Sequence, residues 1–556
     1  MKKHILLLFF CSISVCSFGQ IKESQAIDSL FLEWDKPDVP GGAIGIIQDG
    51  KLIYSKGYGI GNLEHDIEIT PSSVFYIGSV SKQFVTFSIL LLEEQGKLDL
   101  DDIIQKHLPD FPEYDVPLTI RHFIHHTSGV RDYLTLMYLK GRNYLDNIEV
   151  DEVYELIKRQ KELNFSPGEK YLYSNSCYFM LAMIVEKVAG QTLRMFAQEH
   201  IFDPLGMKNT LFYDDNTDLI KNRVFSYEKK SGEDGFNNLI MRFALVGSGG
   251  VYSTIEDLYL WDQNFYNNKL GKGSQEIIHK MHEEGLLNNG GSTGYAFALH
   301  NGTYKGLKTV SHGGALAGYR AGLMRFPEEK FSVIILANRS DANLTNKGFQ
   351  IADIFLKDKF KNEFEKVKSN GASDDDTEES KEFTLEQLTG NYEIRSGVVL
   401  NINVKNDSLH VQQSWNKSSY SIINTAGNTY EIPNDPSIQF VFSELKDGFT
   451  QILTILQNGR ETICNRKEEL DIFSVNLKDY TGNYYSEELD VTYSLFLEDE
   501  ILKVKVANYD SQEMNISDID TFVSDGNLVR FHRSNGAIKG FELDAGRVTN
   551  LKFEKK

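Results

Sequence analysis

The chain is predicted to fold as a mixed α/β (α+β) domain, with an antiparallel sheet and a helical region, followed by two small all-β antiparallel barrels. Three observations predict this. Strand pairs stand at both ends of the first 365 residues, with apolar helical runs between them. An acidic, polar stretch then breaks the pattern. Beyond it, "LEQLTGNYEI" (385–394) recurs as "LKDYTGNYYS" (477–486), and each copy is followed by short alternating strands with polar turns.

In chain order, "MKKHILLLFFCSISVCSFGQ" has a basic start, an apolar run and small residues before Gln20, the pattern of a secretory signal peptide over 1–19. The expected location is therefore periplasmic or extracellular, with no transmembrane anchor, since no later stretch is long and apolar enough to span a bilayer. "GGAIGIIQDGKLIYSKGYG" (41–59) reads as a hairpin turned at Asp49-Gly50, and "GYRAGLMRFPEEKFSVIILAN" (318–338) as two strands joined at Pro-Glu-Glu. Together these predict one sheet completed by both ends of a domain covering 20–365. Residues 366–383, with Asp374, Asp375, Asp376, Glu378 and Glu379, repel one another and read as a linker. The barrel repeats are expected over 384–470 and 471–556. A formal net charge of −21 argues against a nucleic-acid partner, which needs a basic face. Cys11 and Cys16 fall in the signal segment, leaving Cys177 and Cys464 far apart, so no disulfide framework or cysteine metal site is expected.

Three polar clusters carry chemistry. Ser79 and Lys82 open a helix whose following residues, Phe84 to Leu92, are apolar on nearly every side. Such a helix is buried, and its start offers backbone N–H groups and a positive dipole end. A lysine one turn along is then partly desolvated and usable as a neutral base. On this stretch alone, a helix cap with Lys82 in solvent is an equal alternative. Ser-x-x-Lys also occurs at Ser226–Lys229 and Ser414–Lys417, without an apolar helix. The second cluster, Tyr173-Ser174-Asn175, stands before another apolar helix, with Ser176 or Asn175 as its expected cap. In the third, His312-Gly313-Gly314 is expected to interrupt a strand before Ala315, as glycines do at a bulge or where a ligand approaches the backbone. His125 and His126 lack companions at metal-ligand spacing.

In their order and approximate spacing, Ser79-Val80-Ser81-Lys82, Tyr173-Ser174-Asn175 and His312-Gly313-Gly314 resemble the serine β-lactamase/penicillin-recognising enzyme family, most of all its class C β-lactamase, DD-peptidase, D-aminopeptidase and esterase branch. "PLTIRHFIHHTSGVRDY" (117–133), "FDPLGMKNT" (202–210) and "GSGGVYSTIEDLYLW" (247–261) are similar to connecting segments of that branch. The resemblance covers roughly residues 25–360. The tandem barrels, expected to be lipocalin-like, resemble the D-aminopeptidase architecture. The resemblance implies an acyl-enzyme on Ser79, proton transfer by Lys82 and Tyr173, an oxyanion hole from the N–H groups of Ser79 and Ala315, and Asn175 holding Lys82 and the substrate amide in register. It also implies that His312 belongs to the catalytic set with Ser79, Lys82 and Tyr173, and that Gly313 and Gly314, with Asn175 and Ala315, take part in oxyanion and substrate binding. No metal or organic cofactor is implied. The implied substrate is a small peptide, with D-residues, cleaved at an amide; the alternatives are an esterase of the same family or an acylated sensor without turnover. Many relatives carry Lys-Thr-Gly at the third motif. His312 has an ordinary pKa of about 6.5, so neither efficient β-lactam hydrolysis nor a strict need for a substrate carboxylate is expected.

Overall fold

The computed structural model describes residues 21–361, 382–395, 398–414, 418–433, 435–457, 460–467, 475–507 and 509–556. The expected signal segment and residues 366–381 of the acidic stretch lie outside them.

The first domain is built on six strands: β1 (Gly42–Gln48), β2 (Lys51–Tyr58), β3 (His300–Tyr304), β4 (Leu307–Leu316), β5 (Tyr319–Phe326) and β6 (Phe331–Ala337). They form one sheet in the order β3-β4-β5-β6-β1-β2, antiparallel throughout. Asp49 and Gly50 both have positive φ (48° and 76°), which a two-residue hairpin turn between twisted strands favours and Asp-Gly supplies. β1 and β6 pair from Gly42 opposite Ala337 to Gln48 opposite Phe331, so the two ends of the domain do complete one sheet. Side chains alternate between its faces. Ala43, Ile47, Ile334 and Leu336 enter the core shared with the helical region, whereas Ile44, Ile46, Val333 and Ile335 pack beneath the helix Leu344–Leu356.

The helical region holds α1 (Lys82–Glu94), α2 (Tyr133–Leu139) and α3 (Asn175–Ala189). α1 is buried at every residue from Lys82 to Leu92, as its all-round apolar sequence requires. Among the described residues no helix is long and apolar enough to cross a membrane.

Eight strands within 390–467 close a barrel around its own core, which includes Tyr392, Leu409 and Leu453. Nine strands within 482–555 make a second, nearly closed sheet whose outermost strands, Gln512–Glu513 and Asn515–Asp518, are not paired with each other among the described residues. The core of this second sheet is continuous with that of the first domain. Cys177 and Cys464 are free and buried.

One expectation about a strand is corrected. His312-Gly313-Gly314 does not interrupt β4, which runs unbroken through Leu316, with Gly313 opposite Gly322 and Gly314 opposite Ala321. The glycines are there for closeness rather than for a bend. A Cβ on Gly314 would stand 2.0 Å from the Ile77 carbonyl oxygen and 3.0 Å from the Ser79 nitrogen.

Candidate active site

Ser79 lies in a 3-10 turn, Gly78–Ser81, and Lys82 is the first residue of the α-helix that follows. Gly78 takes φ +53°, and a Cβ on it would lie 2.6 Å from the Ala315 nitrogen. Two glycines, Gly78 and Gly314, thus let the serine turn and β4 touch backbone to backbone. β3 pairs with β4 only as far as Ser311, so residues 312–316 have no strand paired on that edge.

The Lys82 ammonium group has three neighbours: Ser79 Oγ at 3.0 Å, Asn175 Oδ1 at 2.9 Å and the Ser248 carbonyl oxygen at 2.5 Å. Lys82 is fully buried, and desolvation holds its pKa well below the usual lysine range; Arg547 pushes the same way, while Asp132 and Cys177 oppose. Asn175 Oδ1 and a carbonyl oxygen can only accept. Lys82 Nζ donates to both and, as an ammonium, to Ser79 Oγ as well; loss of that third proton would turn a lone pair toward the hydroxyl. The orientation of the Asn175 amide is set by Asp132, whose Oδ2 accepts from Asn175 Nδ2 at 2.8 Å.

Tyr173 sits over the same amine, with Lys82 Nζ 4.9 Å from its ring centroid. Burial drives the Tyr173 phenol far above its ordinary pKa, only partly offset by a hydrogen bond with the Ser79 side chain. Burial thus favours the uncharged form of both groups. The His126 ring lies 4.2 Å from that of Tyr173, and its Nδ1 accepts from the Ser174 N–H at 3.1 Å. His125 Nδ1 donates to the Tyr295 carbonyl, and burial lowers its pKa to about 4. Both histidines are thereby fixed as framework.

His312 faces the cavity with both ring nitrogens occupied. Its Nδ1 donates to the Gly313 carbonyl at 2.6 Å and its Nε2 accepts from the Tyr295 hydroxyl at 3.0 Å. Burial, with His300 and Lys82 nearby, lowers its pKa to about 3, so it is a neutral group at physiological pH. A cavity of about 860 Å³ opens over these residues, lined by Ser79, Tyr173, Asn175, His312, Gly313 and Ala315 among others. The sequence-derived candidates thus converge on one place.

The expected cap of α3 is corrected as well. The N-cap residue is Ser174, without a side-chain bond, and the Asn175 N–H donates to Asp132 Oδ2 at 2.6 Å. Ser176 Oγ instead donates to the Arg131 carbonyl at 2.6 Å. A carboxylate from another loop does what a local hydroxyl was expected to do. Of the other Ser-x-x-Lys serines, Ser226 is buried and donates to the Leu239 carbonyl at 3.1 Å. Ser414 Oγ accepts from the Val399 N–H at 3.0 Å, and Lys417 lies outside the described residues.

Sequence reasoning missed Asp132, Ser248, Tyr133 and Arg547. The Tyr133 hydroxyl shares a 2.8 Å hydrogen bond with Ser248 Oγ, steadying the loop that offers the Ser248 carbonyl to Lys82. Asp132 and Tyr133 stand in the 117–133 stretch and Ser248 in 247–261, so their signal was that similarity. Arg547 had none. It belongs to the second C-terminal sheet, lines the cavity, and places its guanidinium carbon 4.7 Å from the Tyr173 ring centroid.

Comparison with known proteins agrees with this geometry. The chain is 29% identical over 314 residues to Penicillin-binding protein 4* of Bacillus subtilis (strain 168), covering 54% of this chain and 68% of that protein. It is 27% identical over 304 residues to a D-aminopeptidase of Gluconobacter oxydans (strain 621H), spanning 54% of this chain and only 56% of that relative's length. In fold it is similar to the octameric penicillin-binding protein homologue from Pyrococcus abyssi, with TM-score 0.55 and 21% identity over 88% of this chain and 99% of that one. The Beta-lactamase family model matches residues 27–353, well over half of the chain. With that match, and a buried lysine packed against a serine and a tyrosine that line one cavity, the chain belongs to the β-lactamase family of serine hydrolases.

Proposed function

We propose that this protein is an exported serine hydrolase that forms an acyl-enzyme on Ser79 and cleaves amide bonds of small peptides containing D-residues. The observation that carries the reading is the three-way seat of the buried Lys82, whose Nζ lies 3.0 Å from Ser79 Oγ, so that the deprotonated amine, which burial favours, would offer its lone pair to that hydroxyl. Ser79 Oγ attacks the scissile carbonyl as its proton passes to Lys82 Nζ. The N–H groups of Ser79 and Ala315, brought together by Gly78 and Gly314, receive the developing oxyanion. The Tyr173 phenol relays the proton from Lys82 to the leaving nitrogen, which departs as a neutral amine. Water, deprotonated by the same base, then attacks the ester and releases Ser79. Asn175 holds Lys82 and the substrate amide in register, and the unpaired edge at 312–316 lets the substrate backbone lie alongside as an added strand.

D-residue chemistry is supported by the D-aminopeptidase and penicillin-binding protein relatives. The neutral His312 leaves its wall without the cation that a lysine would supply there. Export is supported by the basic and apolar N-terminal segment. Turnover of D-alanyl amides and the matched esters by wild type and Ser79→Ala tests the reading. The variant is expected to lose activity by several orders of magnitude; equal rates would remove Ser79 from the mechanism. Intact-mass measurement during turnover is expected to show a transient adduct on wild type only. A permanent adduct without product would mark a sensor rather than an enzyme.

A further inference from the structure

The cavity has a cation that comes from another part of the chain. Arg547 is in the two-residue turn between the strands Ala537–Ala545 and Val548–Lys555, after Gly546 at φ +54°. Its backbone is tied down on the first domain: the Arg547 carbonyl accepts from Asn164 Nδ2 at 2.9 Å and from the Asp132 N–H at 3.3 Å. The neighbouring Thr549 N–H donates to Asn164 Oδ1 at 2.8 Å. Arg131, whose side chain is fully buried, donates to Glu488 at 2.8 Å and to the Asn550 carbonyl at 3.0 Å. The turn is therefore held in place, and its side chain reaches the cavity 44% exposed.

The guanidinium is available there. Its nearest anion is Asp132 Oδ2, 3.8 Å away, and that oxygen already accepts two hydrogen bonds from Asn175. Among the described residues the Arg547 side chain donates no hydrogen bond. The other arginine of the cavity, Arg320, is turned to its own strand, with Nη1 donating to the carbonyls of Ala317 and Tyr319. Lys82 is buried beneath Tyr173, and His312 is neutral. Arg547 is thus a positive, fork-shaped donor beside the phenol that hands a proton to the leaving nitrogen. A carboxylate one Cα removed from that nitrogen has its carbon only about 2.5 Å from it, and a guanidinium fork suits a carboxylate.

We propose that Arg547, delivered by the second C-terminal sheet, is a specificity-determining residue that binds a carboxylate on the leaving group, so that the preferred substrates are peptides whose cleaved bond adjoins a free C-terminus. This rests on the amide-hydrolase reading above and on the role of Tyr173 in it. It goes beyond the expectation, drawn from His312 alone, that a substrate carboxylate is not strictly needed.

The test uses the full chain as wild type, Arg547→Gln, Arg547→Lys and Ser79→Ala. The substrates are N-acetyl-alanyl-alanine and its C-terminal carboxamide, made in D and L series. Wild type is expected to prefer the free acid in kcat/KM by about 10- to 100-fold. In Arg547→Gln that ratio collapses toward one, mainly through KM, and Arg547→Lys keeps part of it. A wild type indifferent to the carboxylate, or an Arg547→Gln variant in which both substrates fall together, overturns the carboxylate role and leaves the hydrolase reading standing. If wild type cleaves no member of either series, or Ser79→Ala cleaves them equally well, the hydrolase reading fails and the proposal goes with it. Unchanged thermal unfolding of the lysine variant guards against a merely structural loss.

Discussion

The two C-terminal sheets are copies of one local design put to different uses. In each, the glycine of the Gly-Asn-Tyr motif takes a φ near 140° (141° at Gly390, 140° at Gly482). In each, the motif tyrosine is buried and donates to a carbonyl four residues earlier, Tyr392 to Leu388 at 3.0 Å and Tyr484 to Tyr480 at 2.8 Å. A basic side chain from the last strand covers each ring, Arg466 in the first and Lys555 in the second. There the likeness ends. The first barrel closes on itself around a separate core. Among the described residues the second stays open by one strand pairing, and it merges its core with the helical region and sends Arg547 to the cavity beside Ser79. A repeat transmits its folding rules, and the docking surface around it decides whether it reaches the cavity.

The sharpest way to break this contrast is through the buried pair that fastens the second sheet. Arg131 and Glu488 have side-chain exposures of 0% and 6%, and Glu488 Oε1 also accepts from the Lys161 N–H at 2.7 Å. Glu488→Ala leaves Arg131 buried without its anion, at a cost of about 3–5 kcal/mol. Denaturant unfolding should show that loss, and turnover should fall as Arg547 loses its fixed position; unchanged stability would deny the pair its role. A smaller effect comes from Tyr392→Leu and Tyr484→Leu, each removing a buried ring and its hydrogen bond for about 2–4 kcal/mol. Both should destabilise their own sheet, but only Tyr484→Leu should lower activity. Equal loss of activity in the two variants would show that the first barrel also supports the site.

The parts of this molecule that obey a local rule were legible in its sequence. Asp49-Gly50 specified a tight hairpin, the circumferential apolar run after Lys82 specified a buried helix, and the recurring Gly-Asn-Tyr specified twin antiparallel sheets. Ser79, Lys82, Tyr173, Asn175 and His312 were legible because their motifs resemble those of a known family; four of them line one cavity, and Lys82 lies buried against Ser79 and Asn175. What depended on distant approach was not legible. Nothing near Asn175 indicates that Asp132 caps its helix, since that bond joins residues 43 apart in the chain. The strand through His312-Gly313-Gly314 reads as broken until the Ser79 turn that presses on Gly314 is in view. Arg547 is one arginine on a hairpin turn, and only the docking of its sheet gives it meaning.

The smallest effect discriminates most finely, because it reads the second sheet through the electrostatics of the base. Lys82 is faced by the Asp132 carboxylate, the Arg547 guanidinium, the Cys177 thiol, and the rings of Tyr173 and Tyr178. Burial disfavours its ammonium form, Arg547 adds to that effect, and Asp132 opposes it. Activity should rise with pH as the amine loses its proton. Removing a neighbouring cation stabilises the ammonium, raises the pKa of Lys82 and moves this acid limb to higher pH. Arg547→Gln should therefore shift the limb of kcat upward by on the order of half a pH unit, and Asp132→Asn should move it the other way. The equivalent charge removal in the first repeat, Arg466→Gln, should leave the limb where it is. A limb that ignores Arg547, measured on the carboxamide substrate so that carboxylate binding does not enter, would mean that the second sheet contributes shape to the cavity but no field at Lys82.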